Sequence, residues 1–442
     1  MKTDISKKFT FFQLLIFSLP SIIMMMFMSL YTIVDGFFVS RFVGTDALSA
    51  INIAYPAINI IIGIGVMAST GGSAIVSLKM GQGKFDEAKR DFSLIVISTV
   101  IVCILISIIS VTFSEKIVIF LGAEGSIINL ASTYLKILMI FAPVSGLQLL
   151  FQSFFVTAGK PTLGLILTIV GGLFNMVFDY VLIVPFEMGI KGAAYATVTS
   201  YFIPAIGGVI FFTINKKGLC FTKTRFKSDI LLKTSSNGSS EMVTNLSGSV
   251  ITFLFNIYMM KYAGADGVAA ITAAMYVQFL MTAFFLGFSI GVAPVISYNY
   301  GALEKTFLKN TIKNCMKFTV FVSCIIFLIG FIFSNEISII FFKKDTNVYN
   351  LSQYGLKIFA VSFLFSGINI FSSALFTALG NGFVSAVISF SRTLLFTTVG
   401  IIMLSMIFEI IGLWWAVPFG EMITVFVSII FMRLLKTRYN IF

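Results

Sequence analysis

Two polar residues, Asn175 and Asp179, interrupt an apolar run that extends from about residue 163 to residue 185. A charged side chain within a hydrocarbon layer costs roughly 2.5–3.5 kcal/mol on insertion scales, so such residues usually carry a function. The two positions are four apart, which on a helix places both side chains on one face, one turn above the other. An amide oxygen and a carboxylate arranged in this way favour either a cation site or a proton site.

Asp35 and Thr197 are predicted to lie at the same depth as Asn175 and Asp179. With the orientation derived below, the two aspartates occur late in segments that run outward, and Thr197 occurs early in a segment that runs inward. Oxygen ligands alone suit a hard cation such as Na⁺. Two carboxylates held away from water suit a proton equally well, because two like charges there are difficult to maintain. The residues therefore predict a site for Na⁺ or H⁺ and do not separate the two.

Five further residues are candidates for contact with a transported molecule. They are two amides of the fourth predicted segment, an amide of the seventh, a glutamate of the twelfth and a methionine of the first: Gln148, Gln152, Asn256, Glu421 and Met28. Hydrogen bonds between helices explain such amides about equally well. Glu421 would contact a cationic group or pair with Arg392. Glu241 is either a further intramembrane acid or a charge at the start of a helix.

The composition is that of a helical protein that crosses the membrane several times. Of 442 residues, 58% are hydrophobic and 11% are charged, and the mean hydropathy is +1.02. Apolar runs of about 18 or more residues recur along the chain, each long enough to span a hydrocarbon core of ~30 Å. The chain has no histidine, so proton transfer would have to use carboxylates. Its four cysteines show no paired spacing and predict neither disulfides nor a metal site.

Twelve apolar segments are predicted, separated by short polar turns and by one long polar break. They lie near residues 11–38, 48–78, 92–113, 128–157, 162–185, 190–214, 237–262, 270–298, 314–334, 352–378, 383–408 and 411–434. The break, near residues 215–240, is rich in lysine and arginine and divides the chain into an N-terminal lobe (1–220), a linker (221–236) and a C-terminal lobe (237–442). The predicted fold is an all-α integral membrane protein built from two six-helix bundles.

The distribution of lysine and arginine predicts that both termini are cytoplasmic. With that orientation 21 of these residues fall on the cytoplasmic side and 8 on the other side. The same bias accounts for the net charge of +12, which therefore does not indicate an anionic partner. The short charged start of the chain leads into the first apolar run without a cleavage pattern, so we expect it to be retained rather than removed as a signal peptide.

An internal repeat relates the two halves. The stretch at 44–50 returns at 264–270, the stretch at 79–82 returns at 299–302, and the stretch at 155–160 returns at 376–381 after a slip of one residue. Halves with an even number of crossings have the same orientation, which is the parallel repeat of several transporter folds. The offset places Phe255 and Gly400 where the first lobe has Asp35 and Asp179. We therefore expect the ion chemistry to reside in the first lobe alone.

Five short stretches carry a resemblance to a known family: 31–39, 81–84, 175–179, 189–194 and 296–302. In order and spacing they resemble the multidrug and toxic compound extrusion (MATE) family, and the last stretch is similar to its MepA-type branch. The resemblance covers essentially the whole chain. It implies a V-shaped pair of six-helix bundles that exports cationic, amphipathic compounds in exchange for Na⁺ or H⁺. It also implies that the cation site consists of Asp35, Asn175, Asp179 and Thr197.

Two functions other than antiport fit the residues of the sequence less well. A flippase for lipid-linked pyrophosphate precursors would favour several cations in its cavity, whereas Arg392 is the one lysine or arginine not assigned above to either side of the membrane. An intramembrane enzyme would lack histidine, paired cysteines and a nucleophile motif. We expect no catalytic residue, no cofactor other than Na⁺ or H⁺ as coupling ion, and no nucleic-acid partner. The expected setting is a monomer in the bilayer of a bacterial inner membrane.

Overall fold

The computed structural model describes residues 4–216 and 218–435, and within these ranges every regular element is a helix. A short 3-10 helix at Asp4–Ser6 precedes fifteen α-helices, and π-helical turns occur at Val39–Val43 and Ser391–Leu395. The α-helices are α1 Phe11–Phe38, α2 Thr45–Gly81, α3 Phe85–Thr112, α4 Ser114–Phe120, α5 Ile127–Ile140, α6 Ala142–Thr157, α7 Pro161–Ile183, α8 Gly189–Ile214, α9 Ser228–Gly301, α10 Lys305–Ile332, α11 Ser334–Phe341, α12 Asn347–Ala360, α13 Phe363–Ala378, α14 Gly382–Phe390 and α15 Phe396–Leu434.

Among the described residues, eight helices are long and apolar enough to cross a membrane. The number rises to ten if the bent pairs α5–α6 (59°) and α12–α13 (49°) each count as one span. Two of the long helices contain a sharp break, α9 at Gly264 (φ 62°) and α15 at Glu409 (φ 50°). Dividing α9 and α15 at these breaks would give the twelve segments expected from the sequence. Helix α9 begins at Ser228, inside the range predicted to be linker.

Three hydrophobic clusters form the core. One contains only residues of the first half, from Val39 to Val198, and another contains only residues of the second half, from Ile251 to Val417. The third combines residues of both halves. It lies at the end of the molecule where the start of α1 and the α2–α3, α8–α9 and α9–α10 connections meet. We call this the basic end, because most of the lysines and arginines among the described residues are there.

At the basic end the two lobes pack with almost no space between their backbones. A Cβ atom on Gly81 would strike the carbonyl oxygen of Tyr298, and a Cβ atom on Gly301 would strike that of Leu78. These two contacts are related by the 220-residue offset of the repeat. Gly71 meets Gly238 in the same way, again between α2 and α9. Because small residues let helix backbones approach closely, this glycine-lined seam between the lobes is closed in the structure.

Candidate functional site

Two adjacent glycines position the helix that carries Asn175 and Asp179. A Cβ atom on Gly172 would lie 2.5 Å from the ring of Phe27 in α1, and one on Gly171 would lie 2.6 Å from the carbonyl oxygen of Ser200 in α8. Helix α7 can therefore pack closely against α1 and α8 at once. These three helices carry all four residues of the predicted ion site.

The carboxyl groups of Asp35 and Asp179 lie beside each other. The side chains of Asp179 and Asn175 are completely buried, and that of Asp35 is partly buried. Oδ1 of Asp35, both carboxyl oxygens of Asp179 and Oδ1 of Asn175 accept no hydrogen bond from any described residue. Buried oxygens are normally satisfied, and an unpaired buried carboxylate is costly. Four acceptor oxygens without a donor are what a cation or a proton would satisfy.

Thr197 lies on α8 with its hydroxyl donating to the carbonyl oxygen of Ala193 at 3.0 Å. The hydroxyl of Tyr134 lies beside Thr197, and its ring is close enough to Asp35 to sense that charge. Tyr134 is therefore near both residues and ties α5 to the site.

Three more tyrosines, which the sequence analysis did not single out, lie within electrostatic range of Asp35: Tyr31, Tyr55 and Tyr201. Tyr31 of α1 lies beside Ser200 of α8. Spacing offered a signal for two of them, since Tyr31 precedes Asp35 by one helical turn and Tyr201 follows Thr197 by one turn. The site is thus a pair of carboxyl groups with tyrosine side chains nearby.

The five cavity candidates occupy different surroundings. In the first lobe, Nε2 of Gln152 donates to Sδ of Met28 at 3.1 Å, which joins α6 to α1. Gln148 is buried one turn earlier on α6, whereas Asn256 on α9 is exposed. Glu421 is buried in the second lobe. The structure thus brings Gln152 and Met28 together and keeps Glu421 apart from them.

Glu421 pairs with Arg392, which is one of the two roles that the sequence left open. Nη1 of Arg392 lies 3.2 Å from Oε1 of Glu421, and Nδ2 of Asn369 donates to Oε2 at 2.7 Å. Ser428 donates to Oδ1 of Asn369 at 3.1 Å, so the amide is itself held in place. Glu241 also feels the charge of Arg392. Glu421 and Glu241 therefore lie near a cationic side chain, whereas no described lysine or arginine pairs with Asp35 or Asp179.

A metal site rich in charged ligands is not found in the described part of the chain. Across residues 4–216 and 218–435, no group of three or more Asp, Glu, Cys or His side chains is placed to hold a metal ion. A metal cation at Asp35 and Asp179 would therefore have to complete its shell with neutral oxygens, for which Asn175 is the nearest along the chain. Neutral and carboxylate oxygens together are a donor set that suits Na⁺.

The two halves of the chain match one family model. The model, described as MatE, matches residues 20–181 and again residues 242–403. The chain belongs to the MatE family. One match falls in each half, as expected for a repeat with an offset of about 220 residues. The resemblance predicted from short stretches is therefore confirmed at the level of the family.

Curated relatives extend over almost the whole chain. The multidrug export protein MepA of Staphylococcus saprophyticus is 22% identical over 428 residues, which are 96% of this chain and 94% of the relative. The MepA protein of Staphylococcus aureus (strain bovine RF122 / ET3-1) is 23% identical over 431 residues with the same coverage. Both relatives are named multidrug export proteins, and neither name favours a lipid flippase.

Solved structures of MATE proteins share the fold. A crystal structure of MATE in complex with MaL6 has a TM-score of 0.90 at 20% identity and covers 97% of this chain and 96% of its own. A structure described as the outward-facing conformation of a multidrug resistance MATE family transporter has the same TM-score, identity and coverage. The all-helical membrane fold expected from the sequence is thus confirmed, and the family is one of transporters rather than an enzyme class.

Proposed function

We propose that this MatE protein is a secondary active transporter that exports cationic or amphipathic organic compounds in exchange for Na⁺ or H⁺. The observation that carries the proposal is the set of four buried acceptor oxygens on Asp35, Asn175 and Asp179 that no described donor satisfies. An ion site that is unfavourable when empty and stable when occupied can couple ion binding to transport, because ion binding changes the relative stability of the two conformations of the protein. The multidrug export of the MepA relatives supports the cargo.

Each residue has a role in this scheme. Asp35 and Asp179 bind the cation or share the proton, and the Oδ1 atom of Asn175 adds a neutral ligand one turn away. Thr197 and Tyr134 supply hydroxyls at the edge of the site. Gln148, Gln152 and Met28 on the neighbouring helices contact the cargo in the same lobe, whereas Asn256 does so from the second lobe.

The two lobes provide the second conformation. In the structure the seam at the basic end is closed by glycine contacts between α2 and α9. Opening this seam while closing the opposite side would expose the cavity alternately to each side of the membrane. We propose that both termini face the cytoplasm of a bacterial cell and that one chain acts alone. The closed seam then corresponds to the state that releases cargo outward.

The direct test is dye efflux from proteoliposomes under separately imposed Na⁺ and H⁺ gradients. The wild-type protein should respond to one of them. Asp179→Asn should abolish gradient-driven efflux. The amide carries no negative charge, so binding of a cation or a proton can no longer neutralise one at this position. Asp46→Asn, which removes an exposed carboxylate near the start of α2, is the matched control and should retain activity. Full coupled efflux in Asp179→Asn would refute the site.

A further inference from the structure

A short N-terminal segment covers the seam at the basic end. The 3-10 helix Asp4–Ser6 packs against α9, although its own chain continues into α1 of the first lobe. The side chain of Ile5 is 0% exposed and belongs to the hydrophobic cluster that combines residues of both lobes. That cluster includes Met80 of α2 and Val295 of α9, which flank the glycine contacts. Ile5 is therefore a buried apolar side chain at the end of the closed seam.

A charged contact pins the same segment to the second lobe. Nζ of Lys8 lies 3.0 Å from Oε2 of Glu304, in the turn between α9 and α10. Two residues after Lys8, the side chain of Thr10 accepts a hydrogen bond from the backbone N–H of Gln13, and the Gln13 side chain accepts one from the N–H of Thr10. This capping box fixes the start of α1. The segment thus lies just ahead of a capped first-lobe helix and is docked on the second lobe.

Burial of Ile5 outweighs the ion pair in this contact. The side chains of Lys8 and Glu304 are 64% and 42% exposed, and pairs so accessible to water contribute little. A fully buried isoleucine, by contrast, favours its buried state by roughly tenfold or more over an exposed one. Because the segment belongs to the first lobe and docks on the second, parting of the lobes at the basic end would draw Ile5 out of its buried position.

We propose that residues 4–8 form a latch that holds the lobes together at the basic end and must detach before the seam opens there. The latch biases the resting protein towards the conformation seen in the structure. The proposal rests on the alternating access described under Proposed function, but it concerns which conformation is populated rather than what is carried. It can therefore be tested without a substrate or an ion gradient.

The experiment measures access to a cysteine placed in the seam. Cys220, Cys315 and Cys324 are replaced by alanine, Ala74→Cys is introduced as the reporter, and a membrane-impermeant maleimide is applied to membrane vesicles of both orientations. Ala74 is buried on the face of α2 that carries Gly71 and Gly81, so the reporter should react slowly when the seam is closed. Ile5→Asp should raise its labelling rate about tenfold, because a buried aspartate would favour release of the latch. Ile5→Val, which keeps the apolar contact, is the matched control and should label at close to the original rate.

Native Cys103 reports whether a variant remains folded. It is buried in the first-lobe cluster, away from the seam, and should stay unlabelled throughout. If Ile5→Asp also exposes Cys103, the smaller change Ile5→Ala decides, and it should raise labelling of the seam cysteine several-fold with Cys103 protected. An unchanged labelling rate in a folded Ile5 variant would overturn the latch, whatever the protein transports. Inactive transport with normal latch behaviour would instead count against the proposed function.

Discussion

The guanidinium Nη1 of Arg392 lies 3.2 Å from Oε1 of Glu421 in the interior of the second lobe. The side chains are 10% and 3% exposed, so water screens the pair little. Asn369 donates both to Oε2 and to the backbone carbonyl oxygen of Glu421, which fixes the acceptor. Arg392 itself sits in the π-helical turn Ser391–Leu395, a local widening of the helix. The pair therefore joins two consecutive membrane segments in a defined geometry.

Removing one partner of this pair should destabilise the protein. Arg392→Gln leaves the carboxylate of Glu421 buried without its cation, a change that typically costs about 3–5 kcal/mol. Glu421→Gln should have a comparable effect. The double variant Arg392→Met, Glu421→Leu should recover much of the loss, because it removes both charges. Thermal unfolding in detergent measures this order, and a double variant less stable than either single one would contradict the argument.

The two acids of the first lobe should act as one unit. Asp35→Asn and Asp179→Asn should each remove ion-coupled efflux, and the double variant should be no worse than either single variant. The reason is that the carboxyl groups lie beside each other and would hold one ion or proton between them. Efflux rates under an imposed gradient, compared with passive leak, measure the effect. Independent, multiplying losses would show that the acids work separately.

Packing at Gly172 should matter to the site although no polar group changes. In Gly172→Ala the new Cβ atom would lie 2.5 Å from the Phe27 ring, which forces α1 and α7 apart and separates Asp35 from Asp179. We expect coupled efflux to fall about tenfold and stability to fall by about 1–3 kcal/mol, as for overpacked cores. Gly248→Ala on α9 is the matched control, because a Cβ atom there meets nothing within 4 Å. Equal losses in both variants would point to a general effect of alanine.

The repeat predicts equivalent effects from two distant glycines. Gly81→Ala and Gly301→Ala should each push the lobes apart at the basic end, because each added Cβ atom would strike a carbonyl oxygen of the other lobe. Maleimide labelling of an Ala74→Cys reporter, buried on the face of α2 that carries Gly71 and Gly81, should rise to a similar extent in both variants. A rise in only one of them would show that the seam opens asymmetrically.

Much of the fold could be predicted because its signals are local. The first predicted segment, 11–38, coincides with α1, since an apolar run and the cap formed by Thr10 and Gln13 are both encoded within a few residues. The sequence also predicted breaks between segments near Gly264 and near residue 409, and the backbone leaves helical geometry at Gly264 in α9 and at Glu409 in α15. Glycine and polar residues mark the first of these breaks locally, at Gly264–Asp266.

The sequence by itself determined the membrane class, the repeat, the family and the residues that are too polar for their surroundings. Only the tertiary structure decided which of these meet: Asp35 with Asp179, Glu421 with Arg392, and Ile5 with the seam. The physical reason is that such meetings depend on how each helix is rotated and how closely it approaches its neighbours. Those quantities are set by small residues such as Gly171 and Gly81 packing against backbone distant in the sequence, and no local pattern records them.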